Sequence, residues 1–336
     1  MAGYDLSPAE ERALHAAEAA AEGARGTTSP NPPVGAAILD ADGRLAGVGA
    51  THPPGGPHAE VAALSEAGDR ARGGTAVVTL EPCNHTGRTG PCAEALLEAG
   101  IARVLFAQPE PTGLAGGGAD FLRSRGIEAA CLHRDVPALR PWLVSARLGR
   151  PHVTAKWAQS LDGFARDHAG KSQWITGERA RAFVHEDREK RDAIVVGTGT
   201  ALADDPSLTA RRPDGSLRSR QPRRVVVGRR GLDGVAGNLH RLGFEQHSTI
   251  DEALSSLWES GARDVLVEGG PTLIGGFLSR WLVDAVQAYI APALLIDGLG
   301  AVAGLSAPDL GEETRLRLHS ATPLGDDLLV EYRAER

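Results

Sequence analysis

Cysteine is scarce, with Cys83, Cys92 and Cys131 the only three in 336 residues. A secreted disulfide framework would need more of them, in even number, so a reducing compartment is expected. Aromatic residues make up 4% of the chain, too few for a groove that stacks single-stranded bases. Positive charge is not in excess either. With 36 basic against 43 acidic residues, the net charge of -7 argues against a broad nucleic-acid surface. A few well-placed arginines would still suffice for one phosphate group. The longest apolar run, Ala288 to Ile296, falls far short of the roughly 18 residues that a membrane span requires. The first 26 residues carry acidic side chains and no apolar segment, which predicts no signal peptide. Together these absences predict a cytoplasmic protein with neither a membrane nor a nucleic-acid partner.

What is present is enough apolar material, 42% of residues, for sizeable cores, and a length that favours two domains. Ser7-Pro8-Ala9-Glu10 reads as a capping box with proline at the first helical position, opening a helix expected to end at Gly23. Strands are expected over 34–39 and 45–51, then a helix over 58–67, a strand over 75–80 and a helix over 92–99. A strand over 103–106, a helix over 119–124 and a strand over 127–132 follow. A hairpin succeeded by alternating helices and strands implies a three-layer α/β/α sandwich. The apolar pattern breaks between Val144 and Pro151, which divides the chain into domains 1–147 and 148–336. In the second, strands are expected over 152–157, 193–197, 224–228 and 265–268, with helices over 177–187, 249–260 and 272–280. Two late strands, 285–291 and 328–333, suggest an antiparallel edge. The glycine-rich stretches 116–118 and 229–237 read as turns.

The chemistry is concentrated at His58-Ala59-Glu60, Pro82-Cys83 and Cys92. His58 opens a predicted helix, Cys83 ends a predicted strand and Cys92 starts a second helix. Three such ligands leave a fourth tetrahedral position open, which is how catalytic rather than structural zinc is held. Water in that position has its pKa lowered toward ~7. Deamination of an amidine-like carbon also needs a carboxyl group that protonates the ring nitrogen and then the departing amine, and Glu60 is the candidate. Residues i and i+2 lie ~200° apart on a regular helix, so His58 and Glu60 converge only if His58 stands at the helix entrance. The pattern matches the zinc deaminase signature, except that eight residues rather than two separate the cysteines. A packed histidine beside two buried thiols is the competing reading. Cys131 is expected in the core. Asn31, His52 and His85 could contact substrate or serve only as turn and surface residues.

The long cysteine spacing, in Thr79-Leu80-Glu81-Pro82-Cys83-Asn84-His85-Thr86-Gly87-Arg88-Thr89-Gly90-Pro91-Cys92, resembles the bifunctional pyrimidine deaminase–reductase family of riboflavin biosynthesis. Further matches occur in the same order: Lys156 through Gly163, Ser172-Gln173-Trp174-Ile175-Thr176, Gly197 through Pro206, and Val267-Glu268-Gly269-Gly270-Pro271-Thr272-Leu273. The resemblance covers nearly the whole chain. It implies a cytidine-deaminase-like domain followed by a dihydrofolate-reductase-like α/β domain. The first would deaminate a phosphoribosylamino diaminopyrimidinone with zinc on His58, Cys83 and Cys92 and with Glu60 as acid/base. The second would reduce the ribosyl chain with NADPH, held by Ala158, Trp174, Thr200, Asp204 and the segment Gly270, Pro271, Thr272, Leu273, Ile274, Gly275 and Gly276. Lys156, Ser172, Arg188, Leu208, Arg211 and Glu268 would contact the phosphorylated pyrimidine substrate. A homodimer or homotetramer is implied as well. In three places the sequence departs from the family: the 228–249 stretch is shorter by about one strand–helix unit, Gly228-Arg229 replaces Asp-Ser, and Gln108-Pro109-Glu110-Pro111 replaces Asp-Pro-Asn-Pro. Arg229 is a candidate for the cofactor's extra phosphate. The alternative reading is a monofunctional zinc deaminase with an inactive or altered reductase-like half.

Overall fold

The structure, a computed structural model, describes residues 4–85, 90–113, 115–171, 173–304 and 316–334. Two compact units divide at Gly149 and Arg150. No helix among the described residues is long and apolar enough to cross a membrane.

The first unit opens on helix α1 (Pro8–Ala24). Its capping box is complete: Ser7 accepts from the Glu10 N–H at 3.3 Å, and the Glu10 carboxylate accepts from the Ser7 N–H at 2.8 Å. There follow strands β1 (Gly35–Leu39) and β2 (Leu45–Ala50), α2 (Ala59–Ala67), β3 (Thr75–Leu80) and α3 (Cys92–Glu98). The unit ends with β4 (Arg103–Gln108), α4 (Gly118–Ser124), β5 (Glu128–Cys131) and α5 (Arg140–Leu148). The sheet runs β2-β1-β3-β4-β5, antiparallel through β3 and parallel beyond it. Helices cover both faces. A Cβ on Gly35 would meet the Ala17 carbonyl of α1 at 1.9 Å, whereas one on Gly49 would meet the Ala59 carbonyl of α2 at 2.4 Å. Gly35 pairs with Ala50 and Gly49 with Ala36, and successive residues of a strand face opposite sides, so α1 and α2 flank the sheet. The α/β/α expectation holds. The missing Cβ at Gly49 also lets the α2 backbone approach closely, which fixes where His58 and Glu60 stand. Helix α5 runs through the segment where the sequence suggested only a break, because Gly149 in the left-handed conformation (φ 65°) ends it late.

The second unit contains β6 (His152–Ser160), β7 (Phe164–Asp167), α6 (Glu178–Glu189), β8 (Ala193–Gly197) and α7 (Thr198–Asp204). Next come β9 (Arg223–Val227), α8 (Gly237–Leu242), β10 (Glu245–His247), α9 (Ile250–Glu259), β11 (Asp264–Val267) and α10 (Pro271–Leu278). It closes with β12 (Ala285–Ala291), β13 (Gly298–Gly300), β14 (Leu316–Leu324) and β15 (Asp327–Ala334). The main sheet is ordered β10-β9-β8-β11-β6-β12-β15-β14, parallel from β10 to β12 and antiparallel beyond. The two late strands do pair antiparallel, β12 with β15, and the unforeseen β14 extends that edge, while on its other side β12 runs parallel to β6. Because β11 returns between β8 and β6, strand order reverses there, and a crevice opens beyond the carboxyl ends of these strands.

The 228–249 stretch contains helix α8 and strand β10. Gly197 ends β8 and leads directly into α7. One local expectation changes. Helix α6 extends to Glu189, so Arg188 lies in its last turn and not after it.

Candidate active sites

His58 is the N-cap of α2, with extended backbone (φ -73°, ψ 163°) and a side chain that does not cap the helix. That is the entrance position required for it to converge with Glu60. Its Nδ1 lies 3.3 Å from Cys92 Sγ and 3.6 Å from Cys83 Sγ. All three donor atoms fall within 4.8 Å of one another, the separation expected around one metal ion. Cys92, the first residue of α3, donates its backbone N–H to Cys83 Sγ at 3.3 Å. Hydrogen bonding from Cys92 outweighs burial and draws the Cys83 thiol down to about 4, while the bond to Cys83 and burial push Cys92 up. Two adjacent sulfurs cannot both carry negative charge without a cation between them. One imidazole and two sulfurs, with space on the cavity side, fit zinc.

Glu60 is 4% exposed, and burial, followed by the Cys83 charge, pushes its carboxyl up to about 7. A carboxyl titrating near neutrality can both deliver and recover a proton. A cavity of about 510 Å³ opens above His58, Glu60 and Cys83, with Asn31, Glu81, His85, Glu110 and Trp142 on its walls. His52 is exposed and does not line it; Cys131 is half-buried in β5 against the core. Trp142 and Glu81 were not foreseen as wall residues. Glu81 could have been, since it stands in the same motif as Cys83. Its carboxylate accepts the Glu110 and Ala119 N–H groups at 3.3 and 3.2 Å, tying the opposite wall to the loop that carries Cys83.

In the second unit a cavity of about 770 Å³ lies at the carboxyl ends of β6, β8 and β11. Lys156, Ala158, Trp174, Arg188, Thr200, Asp204, Leu208, Arg211 and Glu268 all line it, as do the unforeseen His185 and Tyr289. At its base Arg188 grips Glu268 bidentately, both distances 2.7 Å, and Lys156 Nζ stands 3.6 Å from the same carboxylate. Burial alone would raise Glu268, but Arg188 and Lys156 hold it down at about 2; Lys156 is lowered by burial against the pull of Glu268. Trp174 is not a core tryptophan. It is 70% exposed at the cavity mouth, with the Arg181 guanidinium 4.9 Å from its ring centre.

Gly270 to Gly276 do not form the wall of this cavity. Gly270 caps α10 and donates its N–H to Thr200 Oγ1 at 3.0 Å, Ile274 is buried in the core, and Gly275 packs against the Ala303 carbonyl. Any contact that Ile274 or Gly275 makes with a ligand is therefore through backbone. Ser172 lies outside the described residues. Arg229 is exposed, and it is Arg230 that reaches Thr198 Oγ1, at 3.3 Å. A crevice of this size at a strand-order reversal, beside a glycine-led helix, is suited to a dinucleotide.

Residues 7–108 match the cytidine and deoxycytidylate deaminase zinc-binding region, and residues 151–330 match the RibD C-terminal domain. The chain is 58% identical over 304 residues to the riboflavin biosynthesis protein RibD of Corynebacterium ammoniagenes, covering 89% of this chain and 90% of that protein. It is 46% identical over 314 residues to RibD of Mycobacterium tuberculosis strain H37Rv, covering 91% and 92%. Among solved structures it resembles a diaminohydroxyphosphoribosylaminopyrimidine deaminase/5-amino-6-(5-phosphoribosylamino)uracil reductase from Thermotoga maritima, with TM-score 0.88, 31% identity and coverage of 97% and 99%. Acinetobacter baumannii RibD is similar too, with TM-score 0.84, 34% identity and coverage of 98% and 99%.

Proposed function

We propose, from the premise that this chain belongs to the RibD family of riboflavin biosynthesis proteins, a role for each residue that the two cavities gather. The enzyme is bifunctional. It deaminates 2,5-diamino-6-(5-phosphoribosylamino)pyrimidin-4-one, then reduces the ribosyl chain to give 5-amino-6-(5-phosphoribitylamino)uracil. Zinc, when bound, supplies an activated water, and NADPH, when bound, supplies a hydride.

In the first half His58, Cys83 and Cys92 would hold the zinc. Glu60 would carry the protons, taking one from the attacking water and giving it to the ring nitrogen, then taking the remaining hydroxyl proton and giving it to the amine as it leaves. Its burial keeps the carboxyl protonated often enough to be the donor at neutral pH. In the second half the locked Arg188–Glu268 pair and Lys156 face the sugar. Arg211 and Leu208 complete the substrate side with Ser172, while Ala158, Trp174, Thr200, Asp204 and the backbone of 270–276 take the cofactor. Arg188 holds Glu268 ionised, which in turn keeps the Lys156 ammonium oriented and charged against its burial.

The observation that carries this reading is the convergence of His58, Cys83 and Cys92 beside the buried Glu60. A deaminase with an idle second half is not favoured, because the carboxyl-edge cavity gathers nine of the foreseen side chains in one place. A cytoplasmic homodimer or homotetramer without a nucleic-acid partner accompanies the reading. Product analysis with the phosphoribosyl diaminopyrimidinone, with and without NADPH, tests it. Deaminated product alone is expected without NADPH and the ribityl compound with it; an unchanged substrate in both would refute it.

A further inference from the structure

The wall of the second cavity contains a group without an assigned role, His185. It stands on α6 one turn before Arg188 and lines the cavity. Its Nδ1 lies 2.9 Å from the Thr209 carbonyl, which also accepts Arg188 Nη1 at 3.0 Å. A carbonyl has only lone pairs to offer, so Nδ1 carries the proton and Nε2 is left bare. Among the described residues Nε2 has no hydrogen-bond partner. Burial, then the Arg188 and Arg211 charges, hold the ring down at about 4, against the pull of the Thr209 carbonyl and Glu268, so it is neutral near pH 7. The neighbouring groups are of the opposite kind. Lys156, Arg188 and Arg211 can only donate, and both Glu268 oxygens are engaged by Arg188 and Lys156. Cations of this sort suit a phosphate; a hydroxyl that must donate its proton needs an acceptor.

We infer that His185 is a specificity-determining residue of the reductase half, its Nε2 accepting a hydrogen bond from a hydroxyl of the pentose chain. This rests on the proposed reduction of a ribosyl substrate. Phosphate binding by Arg211 would hold the chain, and His185 would recognise that it is hydroxylated.

The experiment measures inhibition of NADPH oxidation by ribose 5-phosphate and by its 2-deoxy and 3-deoxy forms, with the deaminated pyrimidine as substrate. Wild type is compared with His185→Asn and His185→Gln. Asparagine can place an amide near the Nδ1 position and keep the Thr209 bond, but has nothing at Nε2; glutamine places its amide oxygen near Nε2. Wild type is expected to bind ribose 5-phosphate roughly five- to tenfold more tightly than one of the deoxy forms. His185→Asn should lose that ratio and His185→Gln should retain part of it. The inference is overturned if wild type shows no such ratio, if asparagine preserves it, or if glutamine loses more of it than asparagine. Should one variant fail to fold, as judged by its thermal midpoint, the ratio in the other decides. A wild type that oxidises no NADPH with the deaminated pyrimidine would instead remove the proposed function.

Discussion

In the first half the candidate metal donors come from residues at most 34 positions apart, His58 and Cys92 at the starts of helices and Cys83 in the loop that follows β3, not at the strand end that the sequence suggested. In the second, the ion pair at the base of the cavity joins residues 80 positions apart. The first constellation is a local matter of where α2 and α3 begin relative to β3. The second exists only because β11 inserts between β6 and β8. Their electrostatics differ in the same sense. The first half presses like charges together, raising Glu60 and one thiol until a cation relieves them. The second surrounds Glu268, one of several carboxylates that line its cavity, with cations that hold it ionised.

The sharpest way to separate the halves is Glu60→Ala. Deamination should fall by roughly 10²–10⁴-fold, while bound zinc and NADPH oxidation of the deaminated substrate stay unchanged. Metal analysis beside the two assays checks this, and retained deamination would remove Glu60 from the mechanism. Next in size is Glu268→Gln, which leaves Arg188 and Lys156 buried without their counter-charge. It should cost the second half about 3–5 kcal/mol, read as a lower denaturant midpoint. The folded carboxyl titrates at about 2 against an ordinary 4.5, so its stabilisation is present above pH ~4.5 and lost as pH falls toward 2. The variant's acid-side stability curve should accordingly be flatter than that of wild type; parallel curves would show that Glu268 is not held as described. The smallest effect expected is from Gly49→Ala. The new Cβ, 2.4 Å from both Ala59 O and Ala63 N, should displace α2 at a cost of about 1–3 kcal/mol. Deamination should weaken while reduction does not. If both activities fell together, the halves would be coupled in a way that their separate cores do not explain.

Legibility followed the same division. Residue type and order were sufficient to expect a helix opening at about His58, and the structure makes His58 its N-cap. Ser7 and Glu10 were legible too, because a capping box is defined by its immediate neighbours. Trp174 was not, since its exposure at a cavity mouth depends on what α6 and its neighbours leave open. His185 carried no signal of its own beyond standing three positions before Arg188 on one helix face.

Sequence alone determined the α/β/α first half, a break close to the two-unit division and the grouping of His58, Cys83 and Cys92 as candidate ligands, while the family came from a resemblance carried by motifs in the same order. Tertiary structure decided which residues of the second half face the cavity. There the Ile274 side chain is buried in the core, the Gly270 N–H bonds Thr200 and Gly275 lies against the Ala303 carbonyl, because sheet order and helix packing, not proximity in the chain, fix what each position meets.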